Sequence, residues 1–136
     1  MTTLPMTMRH IAMREPGPPD VLGMAEGPVP QPGAGDVLIR VRYAGVNRPD
    51  CIQRLGNYPP PPGASPIIGL EVAGTVAAIG ANVATWRVGD EVCALTPGGG
   101  YAAVPYTHLR ATETPEHLVC RLLLAQKKHN DINCST

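Results

Sequence analysis

The chain has 136 residues, enough for one domain with a real core and too few for two ordinary ones. Its 11 Lys and Arg balance its 11 Asp and Glu, so no bulk charge draws it to nucleic acid or to an anionic membrane. No apolar run approaches the roughly 18 residues of a membrane span, and the opening MTTLPMTMRHIAMREPG lacks a cationic start followed by an apolar stretch. A soluble, cytoplasmic protein is therefore expected, with Cys51, Cys93, Cys120 and Cys134 as free thiols in a reducing compartment, since no two are spaced as a Cys-x-x-Cys hook.

In chain order, the stretch PVPQPGAGD is a proline- and glycine-rich turn region that ends whatever precedes it. DVLIRVRYAGV (36–46) then alternates, with Val37, Ile39, Val41 and Tyr43 on one face and Arg40 and Arg42 on the other, which predicts a half-buried strand. NRPDCIQRLG (47–56) predicts a short helical turn, with Pro49 suited to the first helical position and Gly56 to the C-terminal cap. YPPPPGASP (58–66) is extended and stiff, because each proline fixes its own φ and drives its predecessor out of the α region. EVAGTVAAIG (71–80) predicts a second strand, with Gly74 placed where another backbone approaches closely. VGDEVCAL (88–95) predicts a third, entered through a Gly89-Asp90 turn. Short strands with proline-rich connections predict a mainly β fold, a small and partly open barrel with short helical turns.

The ordered run AGVNRPDCIQRLGNYPPPPGASPIIGLEVAGTVAAIGANVATWRVGDEV resembles the N-terminal, GroES-like catalytic domain of the medium-chain dehydrogenase/reductase superfamily. Within it the run is most similar to the zinc-independent quinone oxidoreductases, the zeta-crystallin-like branch, and REPGPPDVLGMAEGPVPQPGAGDVLIRV fits the same branch. The resemblance covers residues 8–103 and implies a domain over 1–103 that is truncated at its C-terminal end, the first third of such an enzyme. It implies hydride transfer from NADPH to a quinone, in a full-length enzyme that is homo-oligomeric. Zinc-dependent relatives carry Cys where Asn47 stands and His where Leu70 stands. A catalytic zinc needs soft or imidazole donors converging on an open tetrahedral site, so no zinc is expected. Leu70 is then an apolar wall of the substrate cleft and Glu71 a structural carboxylate in the turn.

By position, Asn47 and Tyr58 match residues lining that cleft. Asn47 is a candidate for donating its amide to a quinone oxygen or to the nicotinamide, and equally a helix-start cap before Pro49. Tyr58 is a candidate for stacking on a flat substrate ring; read without the resemblance, it is a lid on the prolines at 59–62. Arg48 and Arg54 could attract a cofactor phosphate, but such arginines are usually solvated. Cys51 has no histidine near it in sequence to activate it. TPGGGY (96–101) lacks both a following Lys-Ser/Thr and a dinucleotide fingerprint, and no Gly-x-Gly-x-x-Gly occurs between a strand and a helix. The chain by itself is thus expected to be inactive and to bind no cofactor tightly. Two other functions stay open: an enoyl-thioester reductase of the same superfamily, and a non-enzymatic GroES-like binding module.

Every glycine and nearly every proline precede residue 105, whereas both lysines, Lys127 and Lys128, lie in the last ten residues. The segment 104–136 is expected to be an unrelated tail. YTHLRA and HLVCRLLL back-translate to adapter oligonucleotides used in DNA sequencing libraries, so the tail is expected to be translated adapter DNA. Taken alone, EHLVCRLLLAQKK places Leu118, Leu122 and Leu123 at helical spacing.

Overall fold

The computed structural model describes residues 4–104 together with 106–107. The expected tail, its leucine-bearing helix included, lies outside the described residues from 108 onward.

The fold is mainly β. Strands β1 (Thr7–Met13) and β2 (Leu22–Pro28) pair antiparallel as a two-stranded sheet. A four-stranded sheet follows in the order β5-β4-β3-β6, built from β3 (Val37–Ala44), β4 (Glu71–Ile79), β5 (Glu91–Leu95) and the two-residue β6 (Tyr106–Thr107). The single α-helix among the described residues, α1 (Arg48–Arg54), follows β3. Both sheets are open, and the segment 101–103 spans the gap between them. The Ile11 N–H donates to the Tyr101 carbonyl and the Ala103 N–H to that of Arg9, each at 3.0 Å, while the Val41 N–H donates to the Ala103 carbonyl at 3.0 Å on the other side. The partly open barrel expected from the sequence is realised as two open sheets joined by this strut. β6 continues the strut along β3 in the same register, Leu38 opposite Tyr106 and Val37 opposite Thr107.

Strand β3 departs from simple alternation. Val37, Leu38 and Ile39 are all buried because the strand is covered on both faces. Val37 and Ile39 pack with Val72, Val76, Val92 and Ala94, and Trp86 closes that cluster. Leu38 points the other way, into a second cluster with Met8, Ala102 and Val104. Further along, a register shift between Val41 and Tyr43 leaves Arg42 as an extra residue. A bulge of this kind reverses which side chains face the core, so Tyr43, expected on the buried face, is 66% exposed instead.

The other elements lie close to their expected positions. β5 begins three residues later than the expected 88, because 87–90 close a turn: Asp90 Oδ2 accepts from the Arg87 N–H at 2.9 Å, and Gly89 takes a φ of 100°. Strands β1 and β2 are absent from the sequence-based expectation. TMRHIAM and LGMAEGP show no clean period of two, and each is held mainly by its partner across the loop between them. No helix among the described residues is long and apolar enough to cross a membrane.

Candidate functional site

The site is built where the start of α1, the start of β4 and the glycine-rich loop after β5 converge. Asn47 is the residue preceding α1, with extended backbone (φ −128°, ψ 162°), and Pro49 sits in the first turn, where its missing N–H costs nothing. Asp50, three residues on, turns back so that its Oδ2 accepts from the Asn47 main-chain N–H at 2.6 Å. This is the acidic half of a capping box, and the negative charge also suits the helix N-terminus. At the other end Leu55 closes the helix and Gly56 follows at φ 81°, the left-handed conformation expected of it.

The Asn47 side chain faces the Asp50 main-chain N–H as the other half of that box, and it also reaches beyond its own helix. Its Nδ2 donates to Glu71 Oε2, the first residue of β4, at 2.6 Å. Glu71 is therefore more than a turn carboxylate: it ties β4 to the entrance of α1. The same corner is closed by the Gly45 N–H donating to the Glu71 carbonyl at 2.9 Å.

Tyr101, from the loop TPGGGY, completes the cluster. Its hydroxyl donates to Asp50 Oδ2 at 3.0 Å and lies 3.5 Å from the Gly45 carbonyl. The loop is strapped to the residues before β4: the Tyr101 N–H donates to the Ile68 carbonyl at 3.0 Å, Gly100 to Gly69 at 2.9 Å, and Thr96 to Leu70 at 2.8 Å. Gly69 permits this approach, since a Cβ there would stand 2.7 Å from the Tyr101 main-chain nitrogen and ring. Asp50 is 4% exposed, and its Oδ1 has no partner among the described residues.

Electrostatics follow from this packing. Burial first, and then the hydrogen bond to the Asp50 carboxylate, push the Tyr101 phenol well above the ordinary tyrosine range. A group whose pKa is raised on folding stabilises the fold fully below its unfolded value, about 10 for tyrosine, and that contribution is lost as pH climbs beyond it toward the folded value. The chain should therefore lose stability more steeply than Tyr101→Phe when urea midpoints are compared at about pH 8 and about pH 11. Equal losses would mean that the Tyr101 hydroxyl carries none of this dependence. Burial and the nearby Glu71 charge also raise the Cys93 thiol, which disfavours the thiolate a nucleophile would need. Cys51 is exposed on α1 as a free thiol.

Of the residues singled out from the sequence, the structure joins Asn47 to Glu71 and places Leu70 immediately before that glutamate, half-buried. Tyr58 lies in the turn beyond α1, 48% exposed, and makes no hydrogen bond to the Asn47–Glu71 pair among the described residues. Asp50 and Tyr101 went unrecognised in the sequence. The Asn-x-x-Asp spacing was a visible capping signal for Asp50, whereas Tyr101 lies 51 positions from the carboxylate it meets. A hollow of about 350 Å³ lined by Met8, His10, Pro28, Ile67 and Ala102 lies elsewhere and includes none of these residues. No group of three or more His, Cys, Asp or Glu among the described residues could hold a metal ion.

Comparison with known proteins places this geometry in context. A probable quinone oxidoreductase of Schizosaccharomyces pombe is 39% identical over 103 residues, a stretch that covers 75% of this chain and 30% of that protein. A mycocerosic acid synthase-like polyketide synthase of Mycobacterium tuberculosis is 32% identical over 110 residues, covering 80% of this chain and 5% of that protein. The solved structure of Escherichia coli quinone oxidoreductase complexed with NADPH superposes with a TM-score of 0.66 at 28% identity, over 79% of this chain and 35% of that one. The chain thus spans about a third, or less, of the length of the proteins it is similar to. Residues 33–113 match the alcohol dehydrogenase GroES-like domain, a span that runs past the boundary expected at 103, and the chain belongs to that family.

Proposed function

We propose that this chain is the N-terminal, substrate-side part of an NADPH-dependent quinone oxidoreductase that works without a metal. The observation that carries the reading is the pair at the positions where zinc-dependent relatives hold Cys and His. Asn47 is an amide engaged with Glu71 at 2.6 Å, and Leu70 is an alkyl wall beside it. Neither offers the thiolate or imidazole donor that zinc requires.

A quinone needs little polarisation to accept hydride, because its two-electron product is an aromatic hydroquinone whose oxygens take protons from solvent. The protein's share of such a reaction is orientation and a shaped, dry cleft. NADPH, when bound, supplies the hydride. The residues present suit only the nicotinamide end of that cofactor: Asn47 is exposed and retains one amide hydrogen beyond the one given to Glu71, and the Tyr58 ring is open to solvent. The described residues contain no strand-Gly-rich-loop-helix unit to hold the pyrophosphate. In this reading Asn47 orients the reacting rings, Tyr58 covers one face and Leu70 keeps water away. The chain alone is inactive and binds NADPH weakly.

A second reading, an enoyl-thioester reductase, is favoured by the similarity to a polyketide synthase. One experiment separates the two. The genomic reading frame containing these residues is expressed whole, treated with a chelator and assayed for NADPH oxidation with a quinone and with an enoyl-CoA. Chelator-resistant quinone turnover is expected. Turnover of the enoyl-CoA with negligible quinone activity would replace the first reading with the second, and a requirement for added zinc would overturn the metal-free site.

A further inference from the structure

Two side chains on the inner face of α1 bury polar atoms that no protein group meets. Asp50 and Gln53 are 4% and 3% exposed and stand three residues apart on the helix, so they share one face. Asp50 Oδ2 accepts from the Asn47 main-chain N–H and from the Tyr101 hydroxyl. Its other oxygen, Oδ1, is buried without a partner among the described residues, and so are both polar atoms of the Gln53 amide, Oε1 and Nε2. A buried polar atom left unpaired costs free energy, and native interiors satisfy nearly all such groups through protein or a held water.

The chemistry of these three atoms selects their guest. A carboxylate oxygen and an amide oxygen accept hydrogen bonds, whereas the amide nitrogen only donates. A single group serving all three must donate twice and accept once. Ammonium or a metal cation cannot accept from Nε2, and a simple anion cannot donate to Oδ1. Water does both, and a buried water makes about three hydrogen bonds. The span agrees as well. Side chains three apart on a helix have Cβ atoms about 5–6 Å from one another, and two hydrogen bonds through one water oxygen reach about 5.5 Å.

We propose that Asp50 and Gln53 hold one buried water beneath α1. It donates to Asp50 Oδ1 and to Gln53 Oε1, and it accepts from Gln53 Nε2. The carboxylate is then fixed from both sides, by the water on Oδ1 and by Asn47 and Tyr101 on Oδ2. Gln53 is linked in this way to the Asn47 main chain, at the entrance of the helix. The site stands whether or not the chain reduces quinones, since every group in it lies beneath the exposed Asn47.

The test is water–protein NMR on the ¹⁵N-labelled 136-residue chain and on Gln53→Met, which keeps the length of the side chain and removes its amide. A held water gives cross-peaks of opposite sign in NOE and ROE spectra, whereas hydrogen exchange gives the same sign in both. Opposite-signed cross-peaks from water to the Gln53 Nε2 protons are expected in the wild type. In Gln53→Met, oxygen-17 relaxation dispersion should count one held water fewer, and the Asn47 main-chain amide resonance should shift.

If the wild-type Gln53 amide shows no cross-peak to a held water, the site is overturned, and a direct bond from Nε2 to the Asp50 carboxylate takes its place. If folded Gln53→Met keeps the same number of held waters, Gln53 does not hold one and the proposal falls. Should that variant fail to fold, the wild-type cross-peaks decide alone.

Discussion

Replacing Gly74 by alanine is expected to destabilise the chain by about 3 kcal/mol, the upper range for forcing extra volume into a packed position. Gly74 sits in β4 opposite Val41, where the ladder between β3 and β4 shifts register. A Cβ at this position would fall on the Arg40 carbonyl oxygen and reach within 3.1 Å of the Val41 α-carbon. These are main-chain atoms of a strand buried on both faces at its start, so they have little room to move. The only relief is separation of β3 from β4, the pair that carries Val37, Ile39, Val72 and Val76. Urea denaturation gives the test. The midpoint should drop with the slope unchanged if the folded state survives, whereas a shift below about 0.5 kcal/mol, the scale of an ordinary surface change, would show that the strands yield easily.

Removing the Asp50 carboxylate should cost about 2 kcal/mol, and the loss should be strongly coupled to Tyr101. The carboxylate accepts from the Asn47 main-chain N–H at 2.6 Å and from the Tyr101 hydroxyl at 3.0 Å, and it is 4% exposed. Asp50→Ala loses a helix cap worth about 1 kcal/mol and leaves the partly buried Tyr101 hydroxyl with only the long 3.5 Å contact to the Gly45 carbonyl, a loss of about 1 kcal/mol or more. Against this stands the relief of desolvating an acid whose Oδ1 has no partner among the described residues. The double-mutant cycle with Tyr101→Phe isolates the shared bond, with a coupling of about 1 kcal/mol expected. Strict additivity of the two substitutions would show that the hydroxyl and the carboxylate act independently. Because Asp50 also holds the Asn47 main chain, Asp50→Ala should broaden the Asn47 amide resonance as well as lower stability.

The two predictions bear on different layers of the molecule. Gly74 belongs to the frame, where two strands come too close for any side chain. Asp50 belongs to the polar knot that the frame supports, where α1, β4 and the loop at 96–101 meet. A change in the frame should release the knot, whereas a change in the knot should leave most of the frame standing. Hydrogen-exchange protection in β3 and β4 should therefore survive Asp50→Ala and collapse in Gly74→Ala.

The sequence by itself determined β3, α1, β4 and β5 within a few residues and supplied Asn47, Tyr58 and Leu70 as candidates for the site. Alternation from Val37 announced β3, Pro49 and Gly56 bracketed α1, and Gly74 marked a close backbone approach, because each of these signals lies within a few residues of its effect. The run from 44 to 92 was specific enough to identify the family, and the amide at 47 and alkyl group at 70 spoke to the chemistry of the site before any geometry was known. Tertiary structure alone decided the rest. The bulge at Arg42 that turns Tyr43 outward is one of two register shifts in the β3–β4 ladder, the other lying between Leu38 and Ile39, and both are set by how the two strands meet. Strands β1 and β2 take their form from each other and from the strut at 101–103, not from any periodicity of their own. Tyr101 reaches Asp50, and Asn47 reaches Glu71, across 51 and 24 positions respectively. Hydrogen bonds over such separations leave no spacing for a sequence to display, since the partners meet only after the sheets have closed around them.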